Sequence, residues 1–236
     1  MMVNIIEGNY NDKYHHCQER DTFAGGTTMR LTKEQAAKNR QSIIDTAGRL
    51  FREGGFDGIS VADLMKAAGF THGGFYNHFS SKEALAAEAA LSGLQRSNVA
   101  LTEALMDQAG SNHSALFPFI ETYLSSAHRD NRADGCTIAS LACDAARQDE
   151  QVQASFAKGI DAELDILASY FAKTHTEDQG DTPTAARERA VQMLSELVGT
   201  VILARAVAQA NPSLSDEILE AVSTGFQGGS KRGRAI

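Results

Sequence analysis

The run Thr71-His72-Gly73-Gly74-Phe75-Tyr76-Asn77-His78-Phe79 gathers hydroxyl, imidazole, amide and phenol groups around two adjacent glycines and two phenylalanines. Phe75 and Phe79, four residues apart, share one face of a short helix and can pin it to a core. Thr71, His72, Gly73, Tyr76, Asn77 and His78 are then left for a surface. Two glycines, each costing roughly 1 kcal/mol relative to Ala, are unusual in a core helix. In a surface helix they let backbone approach a ligand closely, and the chemistry on offer is hydrogen bonding to phosphates and base edges. A second reactive group is Cys136, in Asp134-Gly135-Cys136-Thr137. It falls at the start of a helix, where the dipole can lower a thiol pKa and favour thiolate. A small residue packed at a tight helix start is the competing reading. As an enzyme's nucleophile Cys136 lacks a His or acid at a recognisable supporting position, so the chain is not expected to be an enzyme. His15, His16 and Cys17 have no partner cluster at chelating spacing, and neither metal nor cofactor is implied.

The elements that must position these groups are helical throughout. From Thr32 onward no stretch shows the sustained alternation of a half-buried strand, and the pattern predicts an all-α chain. A helix over 33–53 sets Ile43, Ile44, Ala47, Leu50 and Phe51 on one stripe and stops at Gly54-Gly55. Ser60 caps a short helix with Val61, Leu64, Met65 and Ala68 inward, stopped by Gly69. After Phe70, Thr71 can cap a third short helix to Phe79. Two helices and a tight turn over Val61–Phe79 are helix-turn-helix spacing, in which the second helix is offered to the DNA major groove. Ser80-Ser81-Lys82-Glu83 reads as a capping box, Ser80 at the N-cap and Glu83 at N3, opening a long helix toward Gln108. Further helices are expected near 114–128, 137–148, 150–174, 184–210 and 214–226. Cys143, two turns after Cys136, is read as core. The stripes of the last two helices, from Val191 to Ile202 and from Leu214 to Phe226, are wide enough for both an own-chain core and a second subunit.

Charge placement supports a nucleic-acid role for one region only. The chain has 236 residues and a formal net charge of -8, which as a single number argues against binding phosphates. Residues 30–85, however, hold eight Lys/Arg against six Asp/Glu, a net of +2, and the rest of the chain carries -10. The basic excess is local to the helix-turn-helix segment, as a DNA footprint requires. Three cysteines without a framework spacing point to a reducing cytoplasm. The longest apolar stretch, Val198–Ala208, is far short of a membrane span, and the N-terminus lacks the basic start and apolar core of an export signal.

Ile43-Ile44-Asp45-Thr46-Ala47, Leu50-Phe51, Gly54-Gly55-Phe56, Ser60-Val61, Leu64, Ala67-Ala68-Gly69, Phe75 to Phe79 and Lys82-Glu83-Ala84-Leu85 make the segment from about Lys38 to Leu85 resemble the DNA-binding domain of the TetR (tetracycline-repressor-like, AcrR-type) family of transcription regulators. The resemblance implies about nine helices, a symmetric dimer, a three-helix DNA-binding head and a ligand-binding body whose sequence diverges freely. It matches Thr71, His72, Gly73 and Gly74 to the recognition-helix start, Tyr76 to a phosphate-contacting tyrosine, His78 to a groove-facing histidine and Lys82 to the lysine opening the fourth helix. The family often has a basic or longer polar residue where His72-Gly73-Gly74 stands, so fewer direct base contacts are implied here. A Gly-Cys at the place of Cys136 recurs in members that respond to electrophiles or oxidants, which makes Cys136 a candidate effector sensor.

The expected organisation is a tail over 1–29, a helix-turn-helix head over 30–85, a helical-bundle body for ligand binding and dimerisation over 86–227, and a tail over 228–236. The expected function is a cytoplasmic one-component regulator. A homodimer would repress from a palindromic operator in double-stranded DNA and be released by a small-molecule or thiol-reactive effector, with no membrane partner. The alternative is a helical ligand-binding or interaction protein without sequence-specific DNA binding.

Overall fold

The computed structural model describes residues 32–106, 116–174 and 182–229. His15, His16, Cys17 and the expected break at Ser111-Asn112 lie outside the described residues, as does most of the break from Glu177 to Pro183. All regular elements among the described residues are helices.

Local chemistry sets the head's elements. The Thr32 hydroxyl accepts from the Gln35 amide at 3.1 Å and opens α1 (Lys33–Gly54), whose Ile43, Ile44, Ala47 and Phe51 are buried. Ser60 caps α2 (Val61–Ala67) in the same way through the Asp63 amide, also at 3.1 Å. The α2 end is a Schellman closure: the Gly69 amide donates to the Lys66 carbonyl and the Phe70 amide to that of Met65. That geometry requires the left-handed φ of +83° found at Gly69, which a side chain would strain.

The third head element differs from the expected α-helix. It is a 3-10 turn, His72–Asn77, and the Thr71 side chain makes no cap bond; the Thr71 carbonyl instead accepts from the Gly74 amide at 3.0 Å. Two consecutive glycines and the absence of a side-chain cap leave six residues too little to hold an α-helix, and the tighter turn suffices to bring Phe75 and Phe79 inward. The capping box also shifts by one. The Ser81 hydroxyl accepts from the Ala84 amide at 3.1 Å, so Ser81 is the cap of α3 (Lys82–Met106) and Glu83 stands at the second helical position. Two serines in a row offer the same hydroxyl, and the path of the chain out of buried Phe79 chooses between them.

The body follows with α4 (Leu116–Tyr123), α5 (Ser126–Asp130), α6 (Thr137–Ala145), α7 (Glu150–Thr174), α8 (Pro183–Val207) and α9 (Pro212–Gly229). The single helix expected over 114–128 is broken because the Ser125 hydroxyl donates to the Thr122 carbonyl and accepts from the His128 amide, ending one helix and capping the next. α9 runs to Gly229, past the expected tail boundary at 228, and begins with Pro212 at its first position after Asn211 caps the Leu214 amide. The central layer is α7, packed between α3 and α8. At Gly159 a methyl group would fall 2.5 Å from the Leu94 side chain, so the small residue lets α3 and α7 touch, and Asn98 Nδ2 donates across them to the Gly159 carbonyl. α3 also packs on α1, so one long helix carries the head into the body. Arg52 donating to the Ala133 carbonyl at 2.6 Å and Arg49 pairing with Asp134 at 3.2 Å add two further ties.

Cys143 is exposed, not core. The inward stripe of α6 runs through Ile138, Leu141 and Ala145, and Cys143 falls on the opposite side. Taken as a whole helix, α8 is long and apolar enough to cross a membrane by length and composition. Its Ala190, Met193, Leu197, Val201 and Ala204 are buried within the bundle, as befits a core helix of a folded domain.

Candidate DNA-binding interface

Phe75 and Phe79, 1% and 3% exposed, anchor the 3-10 turn in the head core with ring centroids 5.6 Å apart. With those two inside, Thr71, His72, Gly73, Tyr76 and Asn77 are exposed, and Gly74 and His78 are half-buried. The two apolar anchors therefore bring the expected contact set to one surface. Tyr76 is the most prominent, 67% exposed, its ring edge-on to Phe75 at 5.2 Å and to His72 at 6.4 Å. Those contacts orient the phenol while leaving its hydroxyl in solvent. The Phe79 ring lies under the Arg40 guanidinium at 4.6 Å, and Arg40 also donates to the His78 carbonyl and pairs with Glu88. These bonds fix the end of the turn against α1 and α3. Lys82 stands half-buried at the first position of α3, in the first turn, where exposed amides and the helix dipole favour an anion. Glu83 beside it is held below the usual carboxylate range, chiefly by its own backbone amide and then by the Ser81 hydroxyl.

An added methyl at Gly73 would meet nothing within 4 Å, whereas at Gly74 it would make ordinary contact with Thr71 and Met65. Gly73 is thus open toward solvent, and its backbone is free to be approached.

Comparison with known proteins places this head. Residues 43–89 match the sequence family described as "Bacterial regulatory proteins, tetR family". The head thus carries a TetR-family DNA-binding region. Over 59 residues the chain is 44% identical to the HTH-type transcriptional regulator AcrR of Shigella flexneri, an alignment spanning 25% of this chain and 27% of that protein. The match to that relative thus spans about a quarter of its length. The HTH-type transcriptional repressor NemR of Escherichia coli K12 is 24% identical over 142 residues, covering 58% of this chain and 69% of NemR. The crystal structure of reduced Escherichia coli NemR superposes with a TM-score of 0.66 at 21% identity, over 81% of this chain and 96% of that one. At that identity the likeness is one of fold, and it extends the TetR-type architecture to the body.

In the body the thiolate expected at Cys136 is not favoured. Cys136 is the N-cap of α6, its sulfur accepting from the Ala139 amide at 3.5 Å, but it is 8% exposed. Burial pushes its thiol up, and this outweighs the opposing pull of the Tyr123 hydroxyl and the Ala139 amide. Around it lies a polar cluster that sequence reasoning missed. His128 Nε2 accepts from the Cys136 amide at 3.1 Å, so its Nδ1 carries the proton toward the Tyr123 carbonyl 2.6 Å away; burial keeps the ring neutral by lowering its pKa. Burial and the facing Cys136 raise the Tyr123 phenol well above its ordinary value, and burial alone raises Glu163 to about 7. Buried oxygens of Asn98, Tyr123, Thr137 and Glu163 have no hydrogen-bond partner of good geometry among the described residues. One signal was readable: Glu163 stands between Ile160, Leu164 and Leu167 in an otherwise apolar stripe.

Proposed function

We propose that this chain is a one-component transcription repressor acting as a homodimer in the cytoplasm on double-stranded operator DNA. The observation that carries this reading is the exposed polar surface of the 3-10 turn over its two buried phenylalanines, with Tyr76 held upright by ring contacts. Thr71, His72, Gly73, Gly74, Asn77 and His78 meet base edges or nearby phosphates, while Tyr76 and Lys82 contact phosphates and set the register. The dimer face is α8 with α9, whose Val191, Leu203 and Leu214 are exposed and continue half-buried Val198, Ile202, Ile218 and Val222. Two heads then read half-sites about one DNA turn apart, which is why the operator is near-palindromic. An effector bound in the body favours a head spacing that misfits the operator, so effector and DNA weaken each other by one coupling energy. Cys136 serves as an effector sensor only for small reagents able to enter the body interior, because its thiol is buried.

The test is a mobility-shift titration on the DNA flanking the chain's own coding region at several salt concentrations. Tyr76→Phe and Lys82→Ala are expected to weaken binding to all sequences alike, and Lys82→Ala to reduce the salt slope by about one phosphate per head. An unchanged slope removes Lys82 from the interface. Absence of any salt-sensitive shift for the unaltered chain removes the regulator reading and leaves a helical ligand-binding protein.

A further inference from the structure

A cavity of about 410 Å³ opens where the head meets the body, between the end of α1, the 131–135 turn, α6 and α8. Its wall includes Arg52, Arg132, Arg205, Ser140, Cys143 and Asp144. Two of these cations are buried without a contact ion pair. Arg52, 6% exposed, gives one hydrogen bond to a protein oxygen, the Ala133 carbonyl. Arg205, 9% exposed, donates to the carbonyls of Arg129 and His128 and to the Ser140 hydroxyl. Neither forms an ion pair among the described residues. The nearby acids are otherwise engaged or outside: Asp134 pairs with Arg49, Asp144 with Arg147, Asp130 with Arg129, and Glu53 on the cavity wall is exposed. Burying a guanidinium against neutral oxygens alone is costly, and two doing so around one cavity, with Arg132 beside them, is the arrangement an anion would complete.

We propose that this junction cavity is a binding site for a small organic oxyanion, a carboxylate or phosphate group held by the Arg52, Arg132 and Arg205 guanidiniums. The planar guanidinium fork matches both groups, and the volume accepts a ligand of metabolite size. The site adjoins the polar cluster around Cys136, since Arg205 donates to the His128 carbonyl. Its position gives it a consequence: Arg52 belongs to the head, Arg205 to the body, and the Arg52–Ala133 and Arg49–Asp134 ties flank the cavity. An anion that draws these arginines together therefore biases how the head is set on the body. That consequence rests on the repressor reading; binding itself does not, and is tested without DNA.

The experiment uses the full chain carrying Cys17→Ser, with benzoate and inorganic phosphate as probes, benzamide as the neutral isostere, and ionic strength held with chloride. Binding is followed by calorimetry and by the rate at which iodoacetamide alkylates exposed Cys143 on the cavity wall. The expected result is saturable binding of benzoate or phosphate, slower Cys143 alkylation on occupancy, and no binding of benzamide. Preference for one probe tells carboxylate from phosphate as the natural group. Arg132→Glu, an exposed position with little bearing on folding, should weaken the anion roughly tenfold, the worth of one charge-assisted hydrogen bond. Arg205→Lys should weaken it while keeping the charge, because the fork is lost. No saturable anion binding, equal binding of benzamide, unaltered Cys143 alkylation at saturation, or full affinity in Arg132→Glu would each overturn the proposal. If the anion binds and also shifts operator affinity, the two sites are coupled; if it binds and the chain never shifts DNA, the cavity stands and the repressor reading falls.

Discussion

The head and the body of this chain bury different things. Among the described residues of the head, every buried side chain except Arg52 is apolar, and the polar groups are outside. The body buries Asn98, Thr137, Glu163, Thr200, Arg205 and Ser215, and partnerless buried oxygens lie there and not in the head. An apolar core makes a block that presents a fixed surface, which is what reading DNA demands. Unsatisfied buried polar groups cost stability, commonly 1–3 kcal/mol each, and persist where a ligand or a second conformation can satisfy them. The contrast therefore separates a part with an apolar core from a part that carries unsatisfied polar groups in its interior.

The largest test of that contrast is in the head core. Phe75→Ala removes a ring that is 1% exposed and in contact with Phe79. It should cost about 3–5 kcal/mol in denaturant unfolding and abolish DNA binding with it. A cost under 1 kcal/mol would show that the head core is loosely packed and remove the contrast from that side.

The body should respond in the opposite sense to removing a polar group's charge. Glu163 titrates near 7 in the folded chain against an ordinary value of 4.5, so the folded state holds its proton longer than the unfolded one. Stability is fully present below pH 4.5, falls as pH rises toward about 7, and stays low above it; the whole loss is about 3 kcal/mol. Glu163→Gln should flatten this part of the stability–pH curve and stabilise the chain at pH 8. If the variant is less stable than its parent at pH 8, a partner for the Glu163 carboxylate exists and the body is not frustrated there.

Thiol reactivity gives a sharper comparison within the body. Cys143 is exposed and Cys136 buried with a raised pKa. With Cys17→Ser, iodoacetamide should label Cys143 about tenfold faster or more than Cys136 in the native state, and equally in denaturant. Equal native rates would mean that the α6 N-cap opens readily. Gly73→Ala has the smallest expected effect on the fold, within about 0.5 kcal/mol, since the added methyl meets nothing. Its effect on DNA affinity then reports backbone approach directly, and an unchanged affinity would take Gly73 out of the interface.

What could be read from the amino-acid order was whatever is local. Thr32 and Ser60 as caps, Gly69 as a stop, the buried stripe of α1 and the inward pair Phe75 and Phe79 follow from hydrogen-bond reach and helical period, which neighbouring residues supply. So was the clustering of Thr71, His72, Gly73, Tyr76 and Asn77 on one surface, since two anchors four residues apart leave them no other side. In the head the errors are of one register step or one turn type, Ser81 in place of Ser80 and a 3-10 turn in place of an α-helix; in the body Cys143 is exposed where core was expected and the helix over 114–128 is broken at Ser125. Only the tertiary structure decided the charge states and partners of the body. Cys136 occupies the helix start that its sequence predicts, yet burial beside Tyr123 reverses the effect of the dipole on its thiol. Arg52 and Arg205, 153 positions apart, meet one cavity only because α1 and α8 both pack on α6. Capping and period act over one helical turn and are written in the order of residues, whereas desolvation and the pairing of buried charges depend on which helices come together.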